Sequence, residues 1–235
     1  MKIAILGRGN VASHLNNALK DKNETIMVNS HTPELIPQDV DIVLICVSDN
    51  AIQEVFEKLP LINGIVAHTS GSTPMEVLKG KERDFGVFYP LQTFTKGVEL
   101  DYKEIPVFIE GSNDRAKQKL IELAKTFSND VREANSAERR ELHLASVFAC
   151  NFLNALARIS KELLDKKNID FSVLLPLMKQ TVKKLESLTP REAQTGPAVR
   201  NDSKVITTHM NMLEDNPQLK TLYKLFTDLI QNEKI

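Results

Sequence analysis

The chain has 235 residues, room for one large domain or two ordinary ones. Its 30 Lys and Arg nearly balance 31 Asp and Glu, for a net charge of −1, and no long basic run occurs, which argues against a nucleic-acid or membrane partner. The 42% hydrophobic content is that of a soluble globular protein; with a first strand read from residue 2, no signal peptide is expected, nor any segment long and apolar enough to cross a membrane. Cys46 and Cys150 sit among apolar neighbours without metal-ligand spacing. Two buried thiols, no metal and a cytoplasmic location are therefore expected.

The opening stretch organises the rest. Lys2–Leu6 reads as a buried strand, Gly7-Arg8-Gly9-Asn10-Val11-Ala12 as a glycine-rich turn, and Ser13–Leu19 as the helix that follows. This is the strand-turn-helix context in which a G-x-G-x-x-A fingerprint signifies dinucleotide binding. Gly7 allows a tight turn, Gly9 a close approach to a pyrophosphate, and Ala12 close packing of helix on strand. The first-turn N–H groups would hold the phosphates. The alternative is a tight βα turn that binds nothing.

A second strand, Glu24–Asn29, ends in Asn29-Ser30-His31-Thr32 rather than in the carboxylate that bonds a ribose 2′-hydroxyl in NAD sites. Ser30, His31 and Arg8 suit a 2′-phosphate, so NADP is the expected cofactor. Ser30 and Thr32 also serve as turn formers ahead of Pro33. Asp41–Val47 is apolar throughout, as a central parallel strand is. Ser48 and Asp49 should cap a helix from Asn50 to Leu59, and Val47, Ser48 and Asp49 should lie beside the cofactor, because ligands sit beyond the carboxyl ends of such strands.

Gly64–His68 and Phe85–Tyr89 are further strands. Their ends carry Thr69 and Ser70 toward the cofactor, and His68, Tyr89 and Gln92 toward a substrate, unless these groups merely bond neighbouring loops. Ile105–Glu110, which Pro106 places near an edge, a helix from Asn113 to about Phe127, and Asp130–Glu133 complete the pattern. The alternation argues an α/β fold, a doubly wound parallel sheet over residues 1–134.

From Ser136 onward only helical periodicity remains, so residues 135–235 form an all-α domain. A first helix runs from Ser136 to Lys167, a second from Phe171 to about Leu188 behind Asp170, and two shorter ones span Ser203–Leu213 and Pro217–Ile230. At about 100° per residue, His143 and Asn154 fall within roughly 20° of each other on the first helix, with Asn151 about 60° to the side. Polar residues on one face of an apolar segment line a crevice or meet across a dimer seam. The loop Thr195-Gly196-Pro197-Ala198-Val199-Arg200-Asn201-Asp202 offers Arg200 to a carboxylate, unless Arg200 pairs with Asp202, itself a candidate N-cap.

The segments Gly7–Ala12, Val47–Ile52, His68–Ser72, Tyr89–Phe94 and Thr195–Asp202 together resemble the bacterial NADP oxidoreductases that join a Rossmann domain to a helical C-terminal domain. That family is similar in plan to pyrroline-5-carboxylate reductase and ketopantoate reductase. The resemblance implies NADP, a homodimer formed through the helical domain, and a small-molecule substrate at the domain interface. Related 3-hydroxyacid dehydrogenases and ketopantoate reductase carry a Lys four residues before an Asn on the long helix. Here those positions are Val147 and Cys150. His143 is then the candidate proton donor, with Asn151 and Asn154 orienting a carbonyl or imine substrate. A non-catalytic dinucleotide-binding sensor or partner-binding module is the competing expectation.

Overall fold

The computed structural model describes residues 1–80 and 83–232, which divide into two compact units, Met1–Leu156 and Ala157–Ile235. The first is built on a seven-stranded sheet. In chain order its elements are β1 (Lys2–Leu6), α1 (Asn10–Leu19), β2 (Glu24–Val28), β3 (Ile42–Ile45), α2 (Ile52–Glu57), β4 (Ile65–His68), β5 (Phe85–Pro90), β6 (Val107–Gly111), α3 (Asp114–Lys125) and β7 (Val131–Glu133). The strand order is β2-β1-β3-β4-β5-β6-β7.

Each central strand is apolar on both faces because helices or loops cover both sides. Ile3, Ile5, Ile42 and Leu44 face the layer of α1 and α3. Ala4, Leu6, Val43 and Ile45 face the layer of α2. The sequence periodicity therefore places the strands correctly; β1 matches its expected bounds, β2, β3, β4 and β7 are one or two residues shorter at one or both ends, and β5 and β6 run one residue further at the carboxyl end.

The sheet departs from the expected all-parallel arrangement at one pair: β6 runs antiparallel to β5. The link between them carries no crossover helix, only a single turn at Tyr102–Glu104. A parallel return would have required a crossover. The link instead stays at the carboxyl end of β5 and lies against α1. The Asn10 side chain donates to the Phe94 carbonyl at 2.9 Å and accepts from the Lys96 N–H at 3.3 Å. His14 bonds the Thr95 carbonyl at 2.9 Å and the Tyr102 hydroxyl at 3.0 Å. Pro106 precedes β6, which is second from the sheet edge.

After β7 one helical run extends from Ser136 to Asp165. It comprises α4 (Ser136–Ser146), a π-helical segment at Val147–Phe152, and α5 (Leu153–Asp165). Asn135 and Glu138 start it with a capping box. The run contradicts the expectation that no segment is long and apolar enough to cross a membrane: an 18-residue window has mean hydropathy 1.3, with none of it buried. Cys150 lies in the π segment and is partly exposed, whereas Cys46 is buried, so only one of the two thiols sits in the core.

The second unit holds α6 (Leu175–Lys184), α7 (Pro190–Ala193), α8 (Ser203–Met212) and α9 (Pro217–Asn232). Asp170 accepts from the Ser172 N–H, but the turn it starts is a 3₁₀ turn leading into α6. Asp202 caps α8 through the Val205 N–H, as expected. The His209–Tyr223 hydrogen bond of 2.9 Å ties α8 to α9. Among the described residues of this unit only Ala198 and Thr227 are buried.

Candidate functional site

The glycine turn has the geometry its residues imply. Gly7 adopts φ +135°, and a Cβ there would stand 2.3 Å from the Cys46 carbonyl oxygen. Conformation and space both demand glycine. Gly9 is the N-cap residue of α1, yet no side chain caps that helix and its first turn holds no carboxylate. The unclaimed N–H groups and the positive end of the helix dipole are left for an anion. A Cβ at Gly9 would meet nothing within 4 Å, so the backbone faces open space there.

That turn opens on a cleft of about 560 Å³. Gly7, Arg8, Gly9, Asn10 and Val11 form its floor, Ser30 and His31 one wall, and Val47, Ser48 and Thr69 another. Ala12 is buried beneath the helix, where its small size serves packing. Ser48 heads a 3₁₀ turn without making a side-chain cap, contrary to the expectation that it caps α2. Asp49 is turned to the Ser72 hydroxyl, and neither it nor Ser70 lines the cleft. Sequence reasoning missed Cys46, Ala51, Glu54, Val55 and Lys58, which complete the lining. The apolar stripe of α2 carried a signal for burial, and nothing in it marked a second, ligand-facing side.

The loop after β4 is held by its own hydroxyls and by one buried arginine. Ser70 Oγ accepts from the N–H groups of Ser72 and Thr73. Arg139 of α4 is 0% exposed and donates to the carbonyls of Ser70 and Thr73 and to the Glu110 carboxylate of β6. Nothing in the sequence separates Arg139 from its exposed neighbour Arg140. His68 is also fully buried, so the structure places it behind the loop rather than toward a substrate. Its Nδ1 accepts from the Ser70 N–H at 3.2 Å, and its Nε2 has no hydrogen-bond partner. Burial, reinforced by the Arg139 charge, pushes its pKa down to about 4, so the imidazole is neutral.

Tyr89 and His143 come together. The Tyr89 hydroxyl lies 3.3 Å from His143 Nδ1, with the rings edge to face at 6.3 Å. Burial raises the Tyr89 pKa, keeping the phenol protonated. Gly71 packs directly against the pair: a Cβ there would stand 2.7 Å from the Tyr89 ring and 2.8 Å from His143 Nδ1. Gln92 is exposed and bonds the Thr93 N–H at 2.8 Å. Asn151 and Asn154 are exposed, and the π segment alters their relation to His143. A π turn takes up about one extra residue, so Asn154 lags the straight-helix position by roughly 100°. Asn154 therefore does not share the His143 face that uniform α-helix geometry implied. Arg200 stands exposed in the second unit.

Residues 105–230 match the family model described as a domain of unknown function, DUF2520. BF3122 from Bacteroides fragilis, described as an inferred NADP oxidoreductase, is 36% identical, with 98% of each chain covered and a TM-score of 0.90. Protein TM1727 from Thermotoga maritima is 21% identical over 98% of each chain, with a TM-score of 0.81. The imine reductase of Myxococcus stipitatus, solved with NADP+, is 13% identical and shares the fold over 99% of this chain and 93% of its own, with a TM-score of 0.59. No curated protein matches the chain. With a Rossmann-type sheet, a DUF2520 helical region and a near-complete match to BF3122, the chain belongs to this family of NADP oxidoreductases.

Proposed function

We propose that this protein interconverts a small carbonyl or imine compound and its reduced form, using NADP. The observation that carries the reading is the uncapped start of α1 behind Gly7 and Gly9, opening on a cleft that also holds Arg8, Ser30 and His31. The fit is chemical: a bare helix N-terminus receives a pyrophosphate, and a cation with hydroxyl and imidazole groups receives a 2′-phosphate. The nicotinamide supplies the hydride when bound. The chain's own task is to hold the dinucleotide, exclude water and manage one proton. Gly7 to Val11 hold the pyrophosphate, and Ser48 and Thr69 flank the ring end of the cleft.

The Tyr89–His143 pair is the proton-bearing group in this scheme. His143 delivers the proton to the substrate heteroatom during reduction, and Tyr89 fixes the imidazole at Nδ1. From the face that the π segment gives them, Asn151 and Asn154 orient the substrate. The chain acts as a homodimer formed through its helices, in the cytoplasm.

Thermal unfolding with NADPH and, separately, NADH tests the cofactor half. A ligand at a hundred times its dissociation constant adds about 2.7 kcal/mol, a shift of a few degrees. The expected result is a larger shift with NADPH, followed by NADPH oxidation in a panel of small ketones and cyclic imines. His143→Asn should keep NADPH binding and lose turnover. The missing lysine at Val147 and Cys150 favours a second reading, a sensor that binds NADP without consuming it. That reading is sustained if NADPH binds and no member of the panel is reduced.

A further inference from the structure

The helical run from Asp49 to Lys58 puts a wall on the nucleotide cleft. Ala51, Val55 and Lys58 stand at i, i+4 and i+7, which is one helix face, and all three line the cleft together with Arg8 and His31. Ala51 and Val55 offer apolar surface suited to the flat face of an adenine. Beyond them, Lys58 and Arg8 are the only Lys or Arg among the described lining residues.

Lys58 is tied at 2.6 Å to Glu54, one turn earlier on the helix. Glu54 in turn lies near enough to His31 for their charges to interact. The pair is exposed on both sides, 58% for Lys58 and 69% for Glu54. An exposed i,i+4 pair is a weak tether, easily exchanged for a better anion. A phosphate monoester carries close to two charges and three acceptor oxygens, against one charge for a carboxylate.

We propose that Lys58 is a specificity-determining residue of this cleft, leaving Glu54 for the 2′-phosphate and so selecting NADP over NAD. The inference rests on the NADP reading given above. Glu54 has two parts: it holds the ammonium at the mouth of the cleft, and its own charge must be displaced before a second anion settles. Ser30, His31 and Arg8 then form one side of the phosphate site and Lys58 the other.

Equilibrium binding of NADPH and NADH to the full chain, followed by nicotinamide fluorescence, tests this, with 2′,5′-ADP and 5′-AMP as competing probes. Lys58→Met should weaken NADPH and 2′,5′-ADP at least tenfold and leave NADH and 5′-AMP within twofold. Lys58→Arg should restore most of the loss, and Glu54→Gln should tighten NADPH severalfold. If wild-type protein binds NADPH and Lys58→Met changes nothing, or weakens both nucleotides equally, the assignment of Lys58 fails while the NADP reading stands. If wild-type protein binds neither nucleotide, the reading of the cleft fails with it.

Discussion

Gly71 is where a single atom has the clearest consequence. Its φ is unremarkable, so the demand for glycine comes from space: a methyl group would press on the Tyr89 ring and on His143 Nδ1 at once. Neither neighbour is a flexible tip, because Tyr89 is 8% exposed and His143 is fixed on α4. Gly71→Ala should therefore part the pair. NADPH affinity should stay within twofold, since Gly71 does not line the cleft, while turnover falls at least tenfold. Equal turnover in Gly71→Ala and wild type would remove the pair from the mechanism. His68 gives a pH signature instead. Its folded pKa, about 4, lies below the ordinary imidazole value of 6.5, so between these values the unfolded chain holds more protons than the folded one. Its contribution is complete above pH 6.5 and is lost as pH falls toward 4, by up to about 3 kcal/mol. Urea unfolding at pH 7 and pH 4.5 should show a smaller loss in His68→Gln than in wild type. Arg139 is the third case. Removing one partner of a buried ion pair typically costs about 3–5 kcal/mol, and Arg139→Met should lower the melting temperature by several degrees, whereas Arg140→Met should not.

Among the elements, the π segment separates what the sequence made legible from what it hid. Deleting Ala149 should restore continuous 3.6-residue periodicity, returning Asn154 toward the His143 face by roughly 100°. Circular dichroism should report unchanged helix content, and NADPH oxidation should fall, because the π turn and not helicity sets where Asn151 and Asn154 point. Unchanged oxidation would show that neither asparagine orients substrate. Apolar runs of four to six residues and the G-x-G-x-x-A turn made the strands, α1 and the core of the nucleotide cleft readable, because one local rule governs each. The antiparallel β6 was not readable. It depends on a link that carries no helix and packs on α1 through Asn10 and His14, partners more than 80 residues from it in sequence. The α2 wall was hidden for a similar reason: Glu54 and Lys58 form an ordinary i,i+4 pair, and only the fold turns that face toward His31. Substrate-side groups were the least legible, since burial of His68 and exposure of Asn151 and Asn154 are tertiary facts.

At the scale of the whole molecule, the helices leave many large apolar side chains exposed. Along the helical run, Leu144, Phe148, Phe152 and Leu153 are 42–64% exposed. The second unit adds Val173, Leu177, Val182 and Phe226, and only Ala198 and Thr227 are buried among its described residues. Two surfaces would cover the apolar face of the helical run: a bilayer, or protein. The start of the same helical run argues for protein, because α4 is anchored to the sheet by the buried Arg139–Glu110 pair and packs Leu142 beside Tyr89 and Phe108. A self-complementary face on a symmetric pair is the simplest closed assembly, so a second copy is the proposed occupant. Light scattering should then give twice the 26.4 kDa chain mass, and Phe148→Glu combined with Phe152→Lys should give the single-chain mass or aggregate. Because the sheet and its cleft lie in the first unit, the double variant should still bind NADPH if it stays in solution. A wild-type chain that is monomeric at micromolar concentration, or that floats with lipid vesicles, would overturn the dimer and return the helical run to the membrane alternative.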